Sequence, residues 1–149
     1  MLSKKAQYAF RALTHLVDKY EEGPVLISEI AESKNIPIKF LEFILLELKK
    51  AGILESKKGK GGGYYFNKHP STTTVASVIR IVDGPIAMLP CVSLNFYSKC
   101  EYCDEHNCGL HNIMAGVRDA ALSILENRTL QDLASDEEIL PKVSQKKEK

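Results

Sequence analysis

Between residues 3 and 20 the apolar positions Ala6, Ala9, Phe10, Leu13, Leu16 and Val17 recur at i, i+3, i+4 and i+7, laying one apolar stripe along an α-helix. Gly23-Pro24 ends the pattern. A second, short helix is expected after Ser28, an N-capping residue type, with Ile30 and Ala31 facing inward and Asn35-Ile36-Pro37 breaking it. The third runs from about 38 to 51, with Leu41, Leu45 and Leu48 as core positions and Gly52 just past its end. Two helices joined by so tight a turn are a helix-turn-helix candidate.

Ile53-Leu54-Glu55-Ser56 and Tyr64-Tyr65-Phe66 then read as two short strands flanking the basic, glycine-rich stretch Lys57-Lys58-Gly59-Lys60-Gly61-Gly62-Gly63, the pattern of a β-hairpin wing. A fourth helix is capped within Ser71-Thr72-Thr73-Thr74, continues through Val75, Val78, Ile79 and Val82, and stops at Asp83-Gly84-Pro85. From about 110 to 125, Leu110, Ile113, Met114, Val117, Ala121, Leu122, Ile124 and Leu125 give a long helix with more apolar surface than a small domain covers, which implies a partner helix. The tail LPKVSQKKEK is polar, lysine-rich and reads as disordered. No internal repeat is visible.

At 149 residues and 44% hydrophobic, the chain can bury one ordinary core. No run approaches the roughly 18 to 20 apolar residues that span a bilayer, and MLSKKAQYAF lacks the apolar core of a secretory signal, so a cytoplasmic protein is expected. The net charge of +1 hides a local imbalance: residues 39 to 68 carry seven lysines against three glutamates, a segment suited to an anion. There is no phosphate-binding loop, no G-x-S-x-G nucleophile motif and no paired acid and base that spacing would bring together, so an enzyme is not expected.

A helix-turn-helix followed by a thin basic hairpin has the form of a DNA reader. The recognition helix fits the major groove, while Lys57, Lys58 and Lys60, with Gly59 and Gly61, bring charge and bare backbone near phosphates. Base discrimination falls to the start of the third helix, at Lys39, Phe40, Glu42 and Phe43: Glu42 suits a cytosine amino group and Phe43 a thymine methyl. Taken singly, each of these features also fits a solvated helix face or a flexible hairpin turn.

All four cysteines fall in one short stretch, as Cys91-x8-Cys100-x2-Cys103-x4-Cys108, with His111 close behind. In a reducing compartment such crowding points to metal or redox chemistry rather than a disulfide framework. Four thiolates serve a two- or four-iron cluster, [2Fe-2S] or [4Fe-4S], and equally tetrahedral zinc, and spacing does not separate these. Glu101, Asp104, Glu105 and His106 add oxygen and imidazole donors. His111 suits a further ligand or a helix cap, and His15 and His69 look ordinary.

The chain resembles the IscR-type and NsrR-type winged-helix regulators of the Rrf-two family, which include iron–sulfur cluster regulators and nitric-oxide-sensing repressors. The resemblance rests on Tyr8-Ala9, Ile30-Ala31, Ile36, Phe40-Leu41-Glu42, Lys58-Gly59 with Gly61-Gly62-Gly63-Tyr64, Val82-Asp83, Cys91 and Cys108-x2-His111. It implies a homodimer whose long C-terminal helices cross, palindromic or partly palindromic operator DNA, a Glu42 that tunes operator choice, and Cys91 and Cys108 as cluster ligands. Two features depart from the family pattern. One middle cysteine is usual, and here there are Cys100 and Cys103; some relatives add an acidic ligand from the first helix of the other subunit, where this chain has Gln7. Phe43 and Leu46 are also unusually apolar for a recognition helix.

The expected fold is therefore mainly α with a small β-hairpin: a winged helix-turn-helix domain at 1–84, a cysteine-rich cofactor loop at 85–109, a dimerisation helix with a short helical end at 110–135 and a polar tail at 136–149. The expected function is transcription regulation in which a cluster on Cys91, Cys100, Cys103 and Cys108, with His111 in reserve, modulates operator affinity. The alternatives are the same regulator with zinc or a thiol–disulfide switch, and a protein-interaction module that uses the long apolar helix without DNA.

Overall fold

The computed structural model describes residues 1–135; the tail expected to be disordered lies outside the described residues. Six α-helices and one hairpin follow in the order α1 (Lys4–Asp18), α2 (Ile27–Lys34), α3 (Ile38–Lys50), β1 (Leu54–Lys57), β2 (Gly63–Phe66), α4 (Val75–Val82), α5 (Gly109–Leu125) and α6 (Leu130–Ala134). The fold is the mainly helical, winged architecture expected. Among the described residues no helix is long and apolar enough to cross a membrane.

Helix α1 starts where Ser3 Oγ accepts the Ala6 N–H, and buries Ala6, Ala9, Ala12, Leu13, Leu16 and Val17 along one face. It ends at Asp18, two residues short of the sequence expectation, because the chain tightens into a 3₁₀ turn over Tyr20–Glu22 before Gly23. Helix α2 begins at Ile27 rather than after Ser28: Leu26 occupies the cap position with no side-chain bond. Tertiary packing of Ile30 and Ala31 holds this end where a hydroxyl cap was expected.

The core gathers Leu13 and Leu16 of α1, Ile30 of α2, Leu41, Ile44, Leu45 and Leu48 of α3, Leu54 of β1 and Val78 of α4, each at 2% exposure or less. The hairpin is antiparallel, with Leu54 opposite Phe66 and Lys57 opposite Gly63. A third segment joins β2 because Val25 pairs with Tyr64, through Val25 N–H to the Tyr64 carbonyl at 2.9 Å and the reverse bond at 2.8 Å. Gly63 is required there: a Cβ would stand 2.3 Å from the Val25 carbonyl oxygen, and its φ of 142° disfavours any other residue.

After α5 the chain turns back. Thr129 pairs with Thr74, and α6 inserts the fully buried Leu130 against α1 in the winged-helix core. Helix α5 itself buries only Leu122. Arg80–Glu126 at 2.7 Å ties it to α4, and Arg118 Nη1 donates to the Val92 carbonyl at 2.6 Å.

Candidate nucleic-acid interface and cysteine pocket

The turn between α2 and α3 is made by Asn35, in the left-handed region at φ 51°, and Pro37, whose fixed φ opens α3. Both ends of the turn are thereby set by residue type, and α3 presents Lys39, Glu42 and Phe43 outward, Phe43 at 75% exposure. Phe40 is half committed: its ring meets the edge of Tyr8 with centroids 5.6 Å apart. Lys4 and Arg11 lie over the same Tyr8 ring at 5.5 and 5.7 Å, and Arg11 also donates to the Lys34 carbonyl at the end of α2. These two cations of α1 stand beside the recognition helix and were not singled out in the sequence; the i, i+4, i+7 spacing of Lys4, Tyr8 and Arg11 is the signal that points to them.

Lys57, Lys58, Gly59, Lys60 and Gly61 are all exposed on the hairpin. The loop is tight because the Gly62 N–H bonds the Gly59 carbonyl at 3.0 Å, and a Cβ at Gly62 would lie 2.3 Å from the Lys57 carbonyl oxygen. Elsewhere Lys5 pairs with Glu47 at 2.5 Å, and Lys49 Nζ donates to Ser56 Oγ at 2.6 Å. Lys57, Lys58 and Lys60 of the wing and Lys39 and Lys50 at the two ends of α3 face solvent, as do Lys4, Lys68 and Lys99 outside this region.

Far along the chain, all four cysteines and His111 line one cavity of about 350 Å³. Cys91 lies buried on a 3₁₀ turn, and Cys108 caps α5, its Sγ accepting the His111 N–H at 3.4 Å. The neighbouring Cys100 thiol, desolvation and the Cys108 thiol together push the pKa of Cys103 up to about 12. The Tyr102 backbone N–H holds the Cys100 thiol below its ordinary value, whereas burial raises that of Cys91. His111 Nδ1 is buried without a hydrogen-bond partner, a state that a ligand would relieve.

The oxygen donors of the loop are spent on its architecture. Asp104 accepts from the His106 N–H and from Asn107, and Glu105 accepts from Tyr97 Oη at 3.0 Å and from the Cys100 N–H at 3.2 Å, raising the Tyr97 pKa. Glu101 and His106 are exposed. Among the described residues no three His, Cys, Asp or Glu side chains converge to hold a single metal ion.

A family model described as "Rrf2: Iron-dependent Transcriptional regulator" matches residues 2–136. An rrf2-like HTH-type transcriptional regulator of Rhodobacter capsulatus is 39% identical over 89% of this chain and 91% of its own length. The HTH-type transcriptional regulator IscR of Pectobacterium atrosepticum is 30% identical over 93% of this chain and 82% of its own. Among solved structures, CymR, the global cysteine regulator of Bacillus subtilis, superposes with a TM-score of 0.75 at 28% identity, covering 90% of this chain and 95% of that one.

Proposed function

Given that the chain belongs to the Rrf2 family of DNA-binding transcriptional regulators, which are not enzymes, we propose that it is a cytoplasmic homodimeric regulator whose operator affinity is set by an iron–sulfur cluster held in the Cys91–Cys108 loop. The observation that carries this reading is the shared cavity: all four cysteines and His111, whose Nδ1 is buried without a hydrogen-bond partner among the described residues, line one space at the N-terminus of α5. The donors fit a polynuclear cluster better than a lone zinc ion, since several irons with bridging sulfides do not require the ligands to meet at one point. Cys91, Cys100, Cys103 and Cys108 would hold the group, with His111 in reserve. When bound, it would supply a centre sensitive to oxidation, nitrosylation or loss.

The chain's own residues provide the path from that pocket to DNA. Cys91 and Val92 share a turn, and Arg118 of α5 grips the Val92 carbonyl; Arg80 of α4 grips Glu126 at the other end of α5; α4 packs on α3. Rearranging the loop therefore repositions α5 relative to the recognition helix. In a dimer that displacement alters the spacing of two recognition helices, and hence the half-site spacing each copy must match. The dimer itself is supported by Leu110, Ile113, Val117, Ala120 and Ile124, all exposed at alternating steps of three and four, a coiled-coil seam suited to a second copy.

Lys57, Lys58 and Lys60 would supply the phosphate term and Lys39, Phe40, Glu42 and Phe43 the base-edge contacts, with Gly59 and Gly61 allowing close approach of the wing. Family membership favours this over a module that binds protein alone.

The four cysteines lining one cavity also favour one second reading, the same regulator with a zinc or thiol–disulfide switch. The ultraviolet–visible spectrum of protein purified without oxygen, with iron, sulfide and zinc analysis, tests the choice. Charge-transfer bands with matching iron and sulfide are expected; a colourless protein that holds zinc, or no metal after reconstitution, overturns the cluster and leaves the second reading.

A further inference from the structure

Helix α3 divides into two stripes of opposite character. Leu41, Ile44, Leu45 and Leu48 have zero exposure and belong to the core. Lys39, Glu42, Phe43, Leu46 and Lys50 form the outward stripe and are all exposed. The middle of that stripe is apolar: Phe43 is 75% and Leu46 43% exposed, one helical turn apart, and neither belongs to the core cluster. Phe40 and Glu47 are already engaged, by Tyr8 and Lys5.

An apolar centre between basic ends fits a surface that is itself apolar in the middle and anionic at its edges. Lys39 and Lys50 close the two ends of the stripe, and Lys57, Lys58 and Lys60 extend the positive charge onto the wing. In the major groove the phosphates form the anionic edges, and the C5-methyl of thymine is the apolar group that a base edge presents. Phe43 and Leu46 are separated by about 4.5 Å along the helix axis, close to the ~3.4 Å rise between successive base pairs. They can therefore meet methyl groups on neighbouring pairs.

Resting on the DNA-binding reading, we infer that Phe43 and Leu46 are the principal specificity residues of this chain and select thymine at neighbouring positions of each half-site through its methyl group. Glu42, whose carboxylate has no hydrogen-bond partner among the described residues, reads one adjacent position by accepting a hydrogen bond. Operator choice then depends more on apolar contact than on polar base readout, and it has a signature that phosphate contacts lack: it vanishes when the methyl is removed from the DNA.

The test starts from full-length protein purified without oxygen and duplexes selected by it from a random library. The selected duplex is resynthesised with deoxyuridine in place of thymine, one position at a time, which removes only the methyl group, and affinity is read by fluorescence anisotropy at fixed salt. The expected result is a weakening of about fourfold at each of two neighbouring positions, the scale of one buried methyl. Phe43→Ala and Leu46→Ala each abolish the thymine–uracil difference at one position. Equal affinity for the thymine and deoxyuridine duplexes in the wild-type protein overturns the inference and leaves DNA binding intact. Failure to enrich any duplex, with no salt-dependent binding, overturns the DNA-binding reading and this inference with it. Both side chains are outside the core, so the variants are expected to fold.

Discussion

Helices α3 and α5 carry similar loads of apolar residues and dispose of them in opposite ways. Within its 13 residues α3 buries Leu41, Ile44, Leu45 and Leu48 completely, and only the leftover stripe faces out. Across 17 residues α5 buries Leu122 alone and leaves Leu110 and Ile113 more than half exposed. The first helix is finished by its own domain and is free to serve as a rigid platform. The second leaves an apolar face that the proposed partner copy would cover. On the proposed reading, α3 is the reader and α5 the support through which an effector acts.

The largest effect that separates them is on association. Replacing Ile113 and Val117 together by Asp is expected to weaken dimerisation about ten-thousandfold, on the scale of ~6 kcal/mol for four apolar side chains, two from each copy, removed from a seam. Sedimentation equilibrium reads it, and an unchanged dimer would place the interface elsewhere. The next effect is on stability. Leu45→Ala in α3 is expected to lower unfolding free energy by about 2–5 kcal/mol through reduced burial and the cavity left behind, whereas Ile113→Ala in α5 shifts monomer stability by less than ~0.5 kcal/mol. Chemical denaturation at low protein concentration checks this; equal effects would mean that α5 is as much a core element as α3.

On the reader's side, Lys57→Ala, Lys58→Ala and Lys60→Ala combined are expected to flatten the slope of log affinity against log salt by about 5.4 for the dimer, at ~0.9 for each of the roughly six phosphates that its two wings no longer neutralise. A slope unaltered by the triple variant would remove the wing from the DNA interface. The smallest effect concerns the loop that leads into α5. In metal-free protein at neutral pH, Cys100, whose pKa is lowered, is expected to be alkylated before Cys103, whose pKa stands at about 12 and which stays protonated until strongly alkaline pH. Peptide mapping by mass spectrometry gives the order, and faster labelling of Cys103 would reverse the order of the two thiol pKa values.

Much of the reader was legible one residue at a time. The periodicity of Leu41, Leu45 and Leu48, the Asn35–Pro37 turn and the lysine–glycine hairpin are local signals, and each stands in the structure where its pattern placed it. The cysteine spacing announced metal or redox chemistry, yet it did not reveal that Asp104 and Glu105 would be consumed in holding the loop, or that His111 would keep a buried nitrogen without a partner. The missed cap of α2 is of the same kind: Ser28 is a good capping residue, but the helix starts where packing of Ile30 requires.

The amino-acid sequence by itself determined the helices, their breaks, the hairpin and the clustering of thiols, because backbone restriction and apolar periodicity act over a few residues. Only the tertiary structure decided that Leu130 returns to the winged-helix core, that Val25 joins β2 against Gly63, that Tyr8 braces Phe40, and that Cys91 shares a cavity with Cys108. Each of these contacts joins residues distant along the chain, whose meeting depends on how finished elements pack and leaves no mark in any local pattern.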